Sequence, residues 1–365
     1  DLELNKKYYK LLENIYSANE VKDEYKFNKN KILFVSGFFY KHTVSKFFFN
    51  FVEEFKKINH LNVHLLHLSK IKDDWTEMYL NLNVKFYSET EFVKIYRYLK
   101  RENFGSIIFL DHGMNNLSQS IINTKFAKNY FMLWGHPITT GSKNVDYFIS
   151  SELMDKNNQN NYSEKLVLIK GIGFNYKLDK NLLTYEKKIS KIKQNSFYIP
   201  QGIFKFLPKY DHIIGEILNQ NNNSTISFIK DKDPYFTKIF IERLKKNKKI
   251  QNNFDRLIFY NGSSKNFNFI EKLNEHKIIL DTIGWSGGNT SIEAIFLNKP
   301  IITLQGNNLR SNHTAALLKF LDLEILIANS YIDYLALAKK INNDDVFYKS
   351  VTNKIKLNKK KLIEN

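Results

Sequence analysis

The stretch Asp281-Thr-Ile-Gly-Trp-Ser-Gly-Gly-Asn-Thr-Ser-Ile-Glu-Ala-Ile295 decides the fold. It is entered from an apolar run, Lys277-Ile-Ile-Leu-Asp281, which reads as a buried strand. Ser286, Gly287 and Gly288 make a turn of small residues, and a helical run opens at Asn289 and ends near Lys299-Pro300. The first N–H groups of a helix lack internal partners, and its dipole places partial positive charge there. Strand, glycine turn and helix N-terminus therefore suit an anion such as a phosphate. Gly287 and Gly288 permit close approach to the backbone. Asn289 or Thr290 is expected to cap the helix, and Glu293 to reach a ribose hydroxyl from one turn inside. The same pattern also describes a well-capped crossover that binds nothing.

Outward from this stretch the chain alternates strands with helices, the pattern of parallel sheets covered on both faces. Upstream, strands are expected at 31–35, 61–66, 84–87, 107–110, 130–134, 147–150 and 166–169, with helices at 45–57 and 90–103. A second alternation has strands at 196–199, 225–229, 256–260, 277–283, 300–304 and 324–327. Its helices are expected at 208–219, 234–246, 267–275, 289–298 and 310–321. The expected organisation is an N-terminal helix and linker at 1–29, a doubly wound domain at 30–173 and a linker at 174–195. A second doubly wound domain at 196–330 and basic helices at 331–365 follow. In such sheets ligands bind beyond the carboxyl ends of the strands. His42, Asp111, His112, Gly135, His136, Lys205 and the Gly287 loop all follow strands and are expected to share one cleft.

Bulk composition narrows the class. The chain has 365 residues, is 43% hydrophobic and contains no cysteine, which excludes disulfides, a thiol nucleophile and thiolate-bound metal. No apolar run approaches the ~18 residues of a membrane span. No signal-peptide pattern is present, and the cytoplasm is the expected location. Because the sequence begins at Asp1, a segment upstream is expected. The formal charge of +18 comes from 55 Lys and Arg against 37 Asp and Glu. Lys is spread along the chain beside Asn, Ile, Phe and Tyr, so a generic basic surface is favoured over a nucleic-acid groove. His60, His64 and His67 lie in a strand-like region and read as surface or core.

Several segments, in order, resemble the O-linked N-acetylglucosamine transferase family. They are Ser36-Gly-Phe-Phe-Tyr-Lys-His42, Trp134-Gly-His-Pro-Ile-Thr-Thr-Gly141, Val145-Asp-Tyr-Phe-Ile149 and Tyr162-Ser-Glu-Lys-Leu166. In the second half they are Pro200-Gln201 with Phe204-Lys205, Gly287-Gly-Asn-Thr-Ser-Ile-Glu293, and Pro300-Ile-Ile-Thr-Leu-Gln-Gly306 with Arg310. The resemblance implies a GT-B glycosyltransferase, two Rossmann-like α/β domains facing a cleft, that inverts the anomeric centre without a metal or other cofactor. The donor it implies is a nucleotide sugar, typically UDP-linked. N-acetylglucosamine is the favoured sugar, and a protein Ser or Thr hydroxyl the favoured acceptor. An upstream tetratricopeptide region would fit many members. Phe38 stands where the family often has Asp, Asn266 where many have His, and Gly202 departs beside Gln201. These leave a GDP-sugar donor, another acceptor (glycan, lipid or Asn), or an inactive nucleotide-sugar-binding protein open.

The resemblance assigns roles residue by residue. Gln201, Lys205, Gly287, Gly288, Asn289, Thr290, Ser291, Glu293 and Arg310 would bind the donor. Gly135, His136, Pro137, Thr139, Thr140 and Gly141 would line the sugar and acceptor side, or simply form a rigid turn. His42 leads as acid or base, since an imidazole titrates near neutral pH; the alternative is a residue that orients its loop. Asp111 and His112 are the other catalytic candidates, or loop-shaping residues. Trp134 reads as core.

Overall fold

The computed structural model describes residues 2–16, 26–156, 158–186 and 191–362. The chain divides into two compact units, residues 1–178 and 179–365. In the first, α1 (Leu2–Tyr16) is followed by β1 (Asn28–Ser36), α2 (Thr43–Lys57), β2 (Asn62–His67) and α3 (Asp74–Leu80). Then come β3 (Lys85–Ser88), α4 (Phe92–Glu102), β4 (Phe104–Phe109) and α5 (Asn116–Ile122). Strands β5 (Asn129–Leu133), β6 (Tyr147–Ser151) and β7 (Lys165–Ile169) complete it. The strands form one parallel sheet in the order β3-β2-β1-β4-β5-β6-β7.

The second unit opens with α6 (Lys180–Glu186), β8 (Lys193–Ile199), α7 (Asp211–Gln220), β9 (Thr225–Ile229) and α8 (Pro234–Lys245). It continues through β10 (Leu257–Tyr260), α9 (Phe269–Glu275), β11 (His276–Leu280), α10 (Asn289–Phe296) and β12 (Ile301–Leu304). The last elements are α11 (His313–Phe320), β13 (Ile327–Ala328), α12 (Tyr331–Asn343) and α13 (Asp345–Asn358). Its parallel sheet runs β10-β9-β8-β11-β12-β13. Central strands read as unbroken apolar runs because helices cover both faces. Ile32 to Val35 in β1 and Ile278 to Leu280 in β11 are all buried. Trp134 is core, as expected, with Phe47 and Phe48 edge-on to its ring at 5.0 Å.

The differences from the sequence reading are local. Helices α3, α5 and α6 were not anticipated. Each has seven residues, too few to display a clear period. Their caps were the available signal: Asp73 makes a capping box with Thr76, and Asn115 accepts from Leu117 and Ser118. α6 lies within the stretch read as a linker and packs on α9 and α10, anchored by buried Leu182. The strand expected at 324–327 is a short 3-10 turn, Glu324–Leu326, followed by the two-residue β13. The helix expected at 310–321 is split at Asn312, between a 3-10 turn and α11.

Some of the positive charge is structural. The Lys359 ammonium donates to Phe296 O at 2.8 Å and Asn298 Oδ1 at 2.7 Å, at the end of α10. Lys277 donates to Asn342 O at 2.9 Å, at the end of α12. Both satisfy carbonyl groups at helix C-termini, where the dipole favours a cation. Among the described residues no helix is long and apolar enough to cross a membrane.

Helix α1 is docked on the first unit. Asn5 donates to Thr139 O at 2.7 Å, Tyr8 to Gln119 at 2.8 Å, and Tyr9 is buried. Gly141, at φ +77°, lies so close that an added Cβ would stand 2.5 Å from the Asn5 carbonyl carbon. Gly171 has φ +74° with nothing within 4 Å. Both replacements by Ala incur left-handed strain of about 1 kcal/mol. Gly141→Ala must also displace α1, so its total cost is expected to be about 2–3 kcal/mol. Urea unfolding of the two variants checks this; equal losses would mean that α1 contributes nothing at that contact.

Candidate active site

Each sheet has one point where successive crossovers leave in opposite directions. In the second unit it lies between β8 and β11, and in the first between β1 and β4. Ligands of doubly wound sheets bind at such points. Gln201 and Lys205 follow β8 and residues 281–288 follow β11; Ser36 to His42 follow β1 and Asp111-His112 follow β4.

In the second unit the loop after β11 is built on Asp281. Its buried carboxylate accepts from Gly287 N at 2.6 Å and Gln201 Nε2 at 3.2 Å through one oxygen. The other oxygen accepts from Ser286 Oγ and Thr303 Oγ1, both at 2.7 Å. Burial pushes the Asp281 pKa up, and these donors oppose the shift. Thr314 carries the second layer: its N–H donates to Ser286 Oγ at 2.9 Å, and its hydroxyl lies 2.7 Å from that of Ser291. A Cβ on Gly287 would meet Gln201 Nε2, Ser291 Oγ and Thr290 Oγ1, each at 2.7 Å. Only glycine fits.

The helix starts differently from the sequence reading. Gly288 is the N-cap, with no side-chain cap, so neither Asn289 nor Thr290 caps α10. Thr290 Oγ1 instead accepts from Gln201 Nε2 at 3.4 Å. The Gly287 N–H is committed to Asp281, and the buried Ser291 hydroxyl to Thr314, so neither is presented to a ligand. Gly288, Asn289 and Thr290 are part-exposed at the helix mouth, while Glu293 is only 5% exposed. Gln201 Oε1 is buried and accepts no hydrogen bond among the described residues.

Two cations stand beside this mouth. Lys205 Nζ donates to Ser286 O at 3.2 Å, and burial lowers its pKa to about 8 despite Asp281. Arg310 takes Ser286 N on its carbonyl at 2.8 Å, and burial lowers its guanidinium pKa. The arrangement gathers positive charge around a helix N-terminus without inner-sphere metal ligands. No group of three or more His, Asp or Glu side chains among the described residues could hold a metal ion.

In the first unit His42 is the N-cap of α2. Its Nδ1 accepts from Val44 N at 3.2 Å, and Phe38 stacks on the ring at 4.1 Å. Burial, then Lys46, lowers the pKa to about 4, so the ring is neutral at neutral pH. A neutral imidazole whose Nδ1 accepts carries its proton on Nε2 and is there a donor, not a base. Asp111 is fully buried, with Ser36 Oγ donating to Oδ1. Its Oδ2 has no partner among the described residues, and burial pushes its pKa up to about 7 against bonds from Ser36 and Gly37. His112 is buried, with Tyr9 OH 3.3 Å from its ring nitrogens and its pKa lowered to about 3 by burial and then His136.

The turn after β5 is internally tied. The N–H of Gly135 donates to Leu110 O at 3.1 Å, so close that a Cβ would clash. His136 packs against Gly113, and beyond Pro137 the N–H of Ile138 donates to His136 O at 2.9 Å. Thr139 Oγ1 donates to buried Glu164 at 2.7 Å, as does Thr140 N, and the Thr140 hydroxyl also points there. Thr139 and Thr140 are therefore buried ties to the 162–166 turn, not a lining for a sugar. Sequence reasoning passed over Asp281, Thr303, Thr314 and Glu164. The available signal was a carboxylate closing an apolar strand at 281 and hydroxyl residues elsewhere without a surface role.

The two doubly wound parallel-sheet units have the fold of GT-B glycosyltransferases. Residues 197–363 match the model of glycosyl transferase family 41. That match covers just under half of the chain, and the resemblance drawn from the sequence is borne out over those residues. Among solved structures the chain is similar to a mutant O-GlcNAc transferase of Thermobaculum terrenum, with 16% identity and a TM-score of 0.84 over 99% of this chain and 69% of that one. It is also similar in fold to Anabaena HepE solved with UDP and glucose, with 8% identity and a TM-score of 0.53 over 92% and 97% of the two chains. No curated protein matches the chain.

Asp281→Asn keeps the shape but turns an amide N–H₂ toward donors. It is expected to lower stability by about 3 kcal/mol, because hydrogen bonds to a buried charge are the strong ones. Urea unfolding measures it. A loss under about 0.5 kcal/mol would show that the carboxylate does not hold the loop.

Proposed function

We propose that the chain transfers a hexose or N-acetylhexosamine, with N-acetylglucosamine favoured, from a UDP-sugar to a protein Ser or Thr hydroxyl, with inversion and without a metal. The observation that carries this is the half-buried Lys205 ammonium, held beside the glycine turn and the N-terminus of α10. Together they make a preorganised positive site for a leaving diphosphate. The family 41 match supports the reaction class. The name of the Thermobaculum structure supports N-acetylglucosamine, and the HepE complex supports UDP.

In this reading the acceptor oxygen bonds to the anomeric carbon as the bond from that carbon to the diphosphate oxygen breaks. The electron pair leaves on the diphosphate, stabilised by Lys205, Arg310 and the N–H groups of Asn289 and Thr290. Asp111 takes up the acceptor's proton, since its Oδ2, without a partner among the described residues, and its raised pKa fit a base near neutral pH. His42 serves as an Nε2–H donor on the acceptor side. His112, kept neutral between Tyr9 and His136, fixes the loop after β4. Gln201 positions Thr290. Glu293 is the ribose contact, supported by its place one turn inside α10. An upstream repeat region and a cytoplasmic location belong to the same proposal.

Lys205→Met is expected to weaken UDP binding about tenfold or more with little change in unfolding midpoint, since the lysine makes one hydrogen bond to the fold. Calorimetry with EDTA present checks it, with GDP in parallel for the alternative donor. Parent-like binding by the variant would move the diphosphate elsewhere. The pH response has a definite sign. The ammonium attracts diphosphate below its pKa of about 8, so affinity falls as pH rises through that region and above, because bound anion raises the pKa. Lys205→Arg should flatten this fall.

Asp111→Asn should lower transfer by about a hundredfold and leave UDP affinity unchanged. Steady-state transfer and calorimetry separate the two. Unimpaired transfer would remove Asp111 as the base.

A further inference from the structure

The reading above names the cations but not what aims them. Trp285 lies in the glycine loop and is half-buried. The Lys205 Nζ stands 5.6 Å from its ring centroid and the Arg310 Cζ 5.5 Å from it. Phe204 meets the same ring edge-on at 5.7 Å, and is itself seated over Gly202, where a Cβ would touch its ring at 2.6 Å. The tryptophan backbone is fixed independently, since Thr282 Oγ1 donates to its carbonyl at 2.6 Å.

The other charges facing Lys205 do not replace this contact. Asp281 attracts the ammonium but is saturated by its four donors. His313, whose own pKa is lowered to about 3 by burial and then Lys205, is neutral and adds no charge beside it. Among the described residues the ammonium donates to Ser286 O. A long, flexible lysine with one such bond keeps considerable freedom. An indole face is the strongest aromatic partner for a cation and leaves its N–H donors available.

We infer that Trp285 is a positioning residue for the leaving diphosphate: its indole holds Lys205 and Arg310 in place beside the mouth of α10. The inference rests on the donor site proposed above. It extends that site to a residue whose effect passes entirely through the two cations. Loss of the ring should therefore penalise phosphate recognition and spare recognition of the nucleoside.

The test is a comparison of UDP and uridine, measured by calorimetry for UDP and by competition for uridine. Trp285→Leu is expected to weaken UDP about tenfold, the scale of desolvated cation–π contacts, with uridine affinity within about twofold of the parent. Trp285→Phe, which retains a ring, should recover most of the UDP affinity. Equal losses for UDP and uridine would overturn the inference, because the ring would then contact the nucleoside or simply support the loop. Unchanged UDP affinity in Trp285→Leu would overturn it too. Lys205→Met, run alongside, separates the causes. If it binds UDP as the parent does, the donor-site reading has failed; if it loses UDP while Trp285→Leu does not, only the role of Trp285 has failed.

Discussion

A carboxylate with no access to water must be satisfied by the protein or the loop around it will not hold. Asp281 is that group here. Its four donors come from β12, from the segment after β8 and from its own loop. Leaving them unpaired would cost several kcal/mol, so they fix the loop in one arrangement. That arrangement brings Gln201 to Thr290, crowds polar side chains against Gly287 and sets Ser286 O where Lys205 donates. The anion site proposed at α10 would thus be a consequence of a buried acid whose own charge is spent inward.

The first unit follows the same logic with a different chemical result. Ser36 and Asp111 pair across the β1–β4 switch point, but among the described residues the buried Oδ2 has no partner. Burial then holds the acid near neutral pH instead of deep in the ionised range. His42, by contrast, spends its Nδ1 lone pair on its own helix, and Phe38 keeps it desolvated. An Asp at residue 38 would favour a charged imidazole; phenylalanine favours a neutral one. The proposed base and donor roles therefore separate between two residues that look interchangeable in sequence.

The strands and long helices were legible because their signals are local: unbroken apolar runs, glycine turns and capping residues. The family 41 segments also pointed to the residues around the α10 mouth. What could not be read was direction. Thr139 and Thr140 look like polar lining residues until Glu164, more than twenty positions on, takes their hydroxyls. Ser291 reads as a phosphate contact until Thr314 claims it. Asp281 reads as a strand end, because its partners Gln201 and Thr303 are distant in sequence. Helices α3, α5 and α6 escaped because seven residues carry little period, and tertiary contacts rather than propensity decide them.

Whether a nucleoside diphosphate sits at the mouth of α10 is answered by hydrogen–deuterium exchange with and without saturating UDP, in EDTA. Binding there should slow exchange in two segments, 199–206 and 281–293, and leave α8 unchanged. Protection confined to other segments, or none despite measured binding, would contradict that placement.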